Sequence, residues 1–132
     1  YMKKIDHIAI AVRSLSEATK TFEALGLKLS TTHEVPAMKV QTRFSKIGDT
    51  QIELISPSSK DSVVQKFLEK RGEGLHHICF EVKDIETSLK ELEKKGFQLV
   101  HKKPQKGSQG RVAFLQPQST HGVLIELIQK VK

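Results

Sequence analysis

Two histidines and two glutamates stand where they could do chemistry. His7 lies in Ile5-Asp6-His7-Ile8-Ala9-Ile10-Ala11-Val12 and His77 in Leu75-His76-His77-Ile78-Cys79-Phe80-Glu81-Val82. Glu53 lies in Ile52-Glu53-Leu54-Ile55 and Glu126 in Ile125-Glu126-Leu127-Ile128. Imidazole nitrogens and carboxylate oxygens are the donors that borderline divalent ions such as zinc, cobalt, nickel or manganese accept, and four of them on an octahedron leave two positions for a substrate. Taken singly, each residue has an ordinary explanation. A strand His is more often a hydrogen-bonded core residue, and a Glu between apolar neighbours more often marks the solvent face of an amphipathic strand.

Recurrence is what argues otherwise. With His7 laid over His77, Ile8 meets Ile78 and Val12 meets Val82, and the same offset brings Lys20 to Lys90, Glu23 to Glu93, Gly26 to Gly96 and Leu29 to Leu99. Ile52-Glu53-Leu54-Ile55 then matches Ile125-Glu126-Leu127-Ile128 after a gain of three residues in the second copy, which fits a longer loop. A repeat of this kind sets the architecture before any local assignment is made.

Each copy has the order βαβββ. Residues 5–12 alternate as a strand, and Leu15, Ala18, Phe22 and Leu25 recur at helical spacing until Gly26 stops the helix. Strands follow near 27–33, 38–47 and 50–56, with Gly48-Asp49 as the last turn. The second copy repeats this with strands near 75–82, 97–102, 111–116 and 122–129 and a helix over 86–95. Between the copies, Val63, Val64, Phe67 and Leu68 share one face of a linker helix that Gly72-Glu73-Gly74 ends. The expected fold is α+β: module 1 over about 5–56, a linker helix over about 60–71 and module 2 over about 75–129. All belong to one domain, in which a curved eight-stranded mixed sheet carries its helices on the outer face.

Successive strand side chains point to opposite faces. Ile8, Ile10 and Val12 are therefore expected under the helix, with His7, Ala9 and Ala11 opposite. In the second copy Ile78, Phe80 and Val82 face the helix while His77 and Cys79 do not. Glu53 and Glu126 likewise lie opposite their inward neighbours, so all four polar residues fall on one kind of face. Carboxylates do not crowd into a dry trough without a cation, which makes His7, Glu53, His77 and Glu126 the candidate ligands of one divalent metal.

Composition narrows the function class. At 132 residues the chain suits one domain, and no apolar run is long enough to cross a bilayer. Tyr1 to Asp6 lack the features of a secretory signal, so the cytoplasm is the expected location. Cys79 is the only cysteine, which excludes an intrachain disulfide and a multi-cysteine zinc site. The net charge of +7 favours an anionic partner. The absence of Trp, the single Tyr and the scatter of basic residues argue against nucleic acid.

These stretches resemble the vicinal oxygen chelate superfamily, which includes glyoxalase I, extradiol dioxygenases and resistance proteins. Within it the chain looks most like the methylmalonyl-CoA epimerases, along nearly its full length. The likeness is carried by residues 5–12, by Asp61-Ser62 leading through Phe67-Leu68-Glu69-Lys70-Arg71-Gly72-Glu73-Gly74-Leu75-His76-His77, and by Gly122-Val123-Leu124-Ile125-Glu126-Leu127. It implies epimerisation at C2 of an acyl-CoA, with the thioester and carboxylate oxygens at the open metal positions and one base on each face of the enolate. Some bacterial epimerases supply one base from a Glu at the position of Thr42, which has no such chemistry. The expectation is therefore that Glu53 and Glu126 each act as ligand and proton shuttle, with Glu34 as a backup base whose ordinary reading is an exposed loop acid. Lys106-Gly107-Ser108-Gln109-Gly110-Arg111 resembles the epimerase loop before the seventh strand, and Lys106 and Arg111 are the candidate contacts to coenzyme A phosphates. A homodimer is the expected assembly. The competing functions are a lactoylglutathione lyase (glyoxalase I) and a binding or resistance protein that holds its ligand without reacting.

Overall fold

A computed structural model describes residues 2–131. The elements in chain order are β1 (Met2–Ala11), α1 (Leu15–Leu25), β2 (His33–Val35), β3 (Val40–Ile47), β4 (Thr50–Pro57), α2 (Val63–Arg71) and β5 (Gly74–Val82). α3 (Ile85–Lys94), β6 (Gln105–Lys106), β7 (Gly110–Leu115) and β8 (Ile125–Lys130) complete the chain. The strands form an eight-stranded sheet in the order β2-β3-β4-β1-β5-β8-β7-β6. It is mixed: β5 and β8 run parallel, whereas β3 and β4, and β7 and β8, are antiparallel. The described residues divide into two compact units, 8–76 and 2–7 with 77–131.

In the Ile8–His76 unit the helix boundaries follow from local chemistry. The Ser14 hydroxyl accepts from the Glu17 N–H at 3.2 Å and closes the start of α1. Gly26 ends it at φ 119, in the left-handed region that suits glycine. Ile10, Val12 and Leu54 pack with Leu15, Ala18 and Phe22 of α1, as alternation and helical spacing require. The opposite face differs from expectation. Ala9, Ala11, Val40 and Ile55 pack with Val64 and Leu68 of α2, so the linker helix covers the side expected to carry no helix. Alternation says which residues share a face, but not which helix returns to cover it. The strand expected near 27–33 shrinks to His33–Val35. Ser30 takes over its work: its N–H donates to the Phe44 carbonyl at 2.8 Å and its hydroxyl accepts from the Phe44 N–H at 3.0 Å.

The other unit repeats the logic with α3. Asp84 caps it by accepting from the Thr87 N–H at 3.2 Å, and Phe80, Val82, Ala113, Ile125 and Leu127 pack with Ile85, Leu89 and Leu92. The strand expected near 97–102 is reduced to an isolated bridge between Leu99 and Leu115, ahead of the two-residue β6. Pro104, which has no N–H to donate, interrupts the ladder between them. β8 starts at Ile125 rather than 122, because Gly122 still belongs to the turn, at φ 87.

Gly110 is required by close approach: a Cβ there would lie 2.3 Å from the Gln129 carbonyl oxygen on β8. Gly110→Ala is expected to cost about 1–3 kcal/mol of stability by forcing β7 away from β8, read as a lowered urea midpoint.

Candidate metal centre

His7, His77 and Glu126 meet in the unit formed by residues 2–7 and 77–131. The neighbouring strands β5 and β8 carry His77 and Glu126, with Cys79 directly opposite Glu126 in the parallel register. His7 Nε2 lies 3.0 Å from Glu126 Oε1 and 3.2 Å from His77 Nε2, and His77 Nε2 lies 2.9 Å from the same oxygen. All three side chains are buried, at 4–5% exposure. Adjacent donors on an octahedral ion with bonds of about 2.1 Å stand about 3.0 Å apart. The observed spacing is of that size.

Proton positions supply a second test. Burial pushes the Asp6 carboxyl up, yet hydrogen bonds from His7 and Lys130 outweigh it and hold Asp6 below the usual carboxylate range. An ionised carboxylate only accepts, so His7 Nδ1–H donates to Asp6 Oδ2 at 2.7 Å. Neutral His7 then carries its lone pair on Nε2, aimed at the Glu126 oxygen and the His77 nitrogen. Lone pairs facing one another at such distances need a positive charge between them, supplied either by an imidazolium proton or by a metal. Burial likewise raises the Glu126 pKa, but where the histidines carry the proton their charge and hydrogen bonds reverse the shift and hold Glu126 well below the ordinary carboxylate range. The three residues fit a divalent cation.

Glu53 belongs to the other unit. It is buried in β4, facing Phe44 across the β3–β4 ladder on the Ile55 side, as parity requires. Thr42 lies opposite Ile55 and is 1% exposed. Arg111 pairs with Glu86 of α3 at 3.3 Å, which places it on the Ala113 side of β7, whereas Phe114 on the other side is opposite Glu126. Lys106 is exposed and is the register partner of Arg111. Glu34 is exposed and accepts from the Gln41 amide at 2.5 Å.

Alternation alone did not single out three residues around this cluster. Phe114 sets its ring edge-on to His77 at 5.3 Å, closing one side with apolar surface. His101 stands 6.2 Å from the Phe114 ring, and burial lowers its pKa. Asp6 holds His7 from behind. The register of Phe114 with Glu126 was within reach of the repeat once β7 and β8 were paired.

A model of the Glyoxalase/Bleomycin resistance protein/Dioxygenase superfamily matches residues 6–115. The chain belongs to that superfamily. Among its curated relatives, the uncharacterized Bacillus subtilis protein YqjC is 40% identical over 130 residues, covering 97% of this chain and 93% of that one. The human mitochondrial methylmalonyl-CoA epimerase is 36% identical over 129 residues, covering 96% of this chain and 73% of its own length. A solved structure of a methylmalonyl-CoA epimerase in complex with methylmalonyl-CoA and NH4+ superposes with a TM-score of 0.95 at 33% identity, over 99% of this chain and 96% of that one. Among the described residues no helix is long and apolar enough to cross a membrane.

For a superfamily member with this cluster, a divalent ion should stabilise the fold. At a free ion concentration one hundred times the Kd, the gain is about 2.7 kcal/mol. A rise in Tm on adding Co2+, reversed by a chelator and absent in Glu126→Gln and His77→Ala, is the expected result.

Proposed function

We propose that this chain is a metal-dependent methylmalonyl-CoA epimerase that inverts C2 by proton transfer through an enolate. The observation that carries the reading is the convergence of His7 Nε2, His77 Nε2 and Glu126 Oε1 within 3.2 Å, in a chain whose relatives include enzymes of that name. The cation class is cobalt, zinc, manganese or nickel, which imidazole and carboxylate donors suit. Bound beside these residues, such an ion supplies a Lewis acid for the charge that develops on the thioester oxygen.

The remaining work falls to the chain. Glu126 Oε1 is committed to the two histidines, and we assign its second oxygen to the proton on C2. Glu53 enters through the repeat, since it holds in module 1 the place that Glu126 holds in module 2. It is the proposed fourth ligand and second base. One carboxylate begins ionised and takes the C2 proton, breaking the C–H bond and leaving the electron pair in the enolate. The other begins protonated and returns a proton to the opposite face. The two have then exchanged protonation states, and the reverse reaction runs by the same steps. Burial of both side chains keeps solvent from competing for the carbanion. Lys106 and Arg111 remain the proposed phosphate contacts, with Lys106 the stronger candidate because Glu86 already engages Arg111. The homodimer belongs to the same proposal and is tested by mass in solution.

Incubation of the Co2+-loaded protein with methylmalonyl-CoA in D2O should place deuterium at C2. Glu126→Gln and Glu53→Gln should each lower kcat by about 10²–10⁴-fold. Full turnover by Glu53→Gln would remove that residue from the base role. Absence of exchange together with turnover of a hemithioacetal would transfer the protein to the glyoxalase I activity, and binding without either reaction would leave a ligand-holding protein. Lys106→Ala should raise KM several-fold with kcat unchanged, an effect that fades as added salt screens the charge.

A further inference from the structure

The ion pair behind His7 has no place in the proposed proton transfer, yet its carboxylate is buried more deeply than His7, His77 or Glu126. Asp6 is 1% exposed. Its Oδ1 lies 2.8 Å from the Lys130 ammonium and its Oδ2 2.7 Å from His7 Nδ1, and a carboxylate paired with an ammonium only accepts, so this geometry makes Nδ1–H the donor. Lys130 in turn donates to the Gln109 side-chain oxygen at 2.7 Å. Gln109 is anchored by its backbone: its carbonyl accepts from the Val131 N–H at 3.4 Å, beside the tight contact of Gly110 with Gln129. Four residues from three parts of the chain thus form a line that ends on the imidazole.

Taking the Asp6 carboxylate out of water carries a large desolvation cost that the part-exposed Lys130 offsets, and an apolar residue of similar volume in its place would commonly hold the fold as well. What apolar residues would not do is choose a tautomer. An imidazole held through Nδ1–H presents Nε2 as the lone-pair donor, with its ring plane fixed. We infer that Asp6 and Lys130 are positioning residues for His7, Lys130 orienting the Asp6 carboxylate and Asp6 setting the tautomer and ring plane that aim Nε2 at a metal. The inference rests on the metal reading above, but the tautomer it assigns is a property of the metal-free chain. Lys130 is placed to act on His7 through Asp6, which makes the order of action testable.

Three measurements decide it. In ¹⁵N-labelled, metal-free protein, His7 should be protonated at Nδ1 and bare at Nε2, and Asp6→Ala should abolish that preference. A wild-type His7 protonated at Nε2 alone would overturn the assignment. Titration with Co2+, followed by its visible absorbance, should show Asp6→Asn binding about 10–100-fold more weakly than wild type. Lys130→Met should also weaken binding, and the double variant should bind no more weakly than Asp6→Asn alone, because the two act in series. Equal Kd values for wild type and Asp6→Asn, or additive losses in the double variant, would overturn the inference. Urea midpoints for each variant identify any loss of binding that follows from unfolding. In that event a weakened Nδ1–H preference at His7 in Lys130→Gln supports the inference, and its full retention overturns the part assigned to Lys130. Wild type that binds no Co2+ would refute the metal reading, while the tautomer measurement would still decide the role of Asp6.

Discussion

Buried carboxylate charge, and what neutralises it, organises the part of this protein where chemistry can occur. Glu126 and Asp6 are both nearly inaccessible to water, and each is held below its ordinary pKa against the opposing pull of burial. Lys130 answers Asp6 directly. Glu126 instead faces two imidazole nitrogens, whose partial charges do not balance a full negative charge unless a proton or a metal stands among them. A structure that retains such an arrangement carries a standing demand for a cation, and an apolar side chain at Glu126 would remove it.

The surrounding elements make that demand specific. β5 and β8 lie side by side in parallel, so the faces of His77, Cys79 and Glu126 coincide without any distortion. Leu127 and Phe80, one residue away, go to the opposite side and pack with α3. The same alternation therefore builds the core and presents the ligands, so a shift of one residue in register would lose both. Phe114 keeps one flank apolar, which strengthens electrostatic interactions by lowering the local dielectric response.

Relatedness and geometry contribute different parts of the functional reading. The superfamily match and the epimerase relatives supply the reaction class, whereas neither says how these side chains divide the work. Proton positions around His7 follow from the ionised state of Asp6, and they assign lone pairs before any metal is considered. Asp6, adjacent to His7 in sequence, belongs to the opposite face by alternation. Its short side chain nevertheless reaches Nδ1, a contact that alternation does not describe.

The repeat made the two modules, their helix starts and stops and the His–Glu pattern legible from the sequence, because alternation and helical spacing are local consequences of backbone geometry. Alternation alone grouped His7, Glu53, His77 and Glu126, and the structure brings His7, His77 and Glu126 together. The Asp6–Lys130 pair, the seating of Phe114 against His77 and the packing of α2 over Ala9 and Ala11 were decided only in three dimensions. Each depends on where residues distant in the chain come to rest after strands pair. Periodicity along a chain determines which side a residue faces, and only the folded packing determines what it meets there.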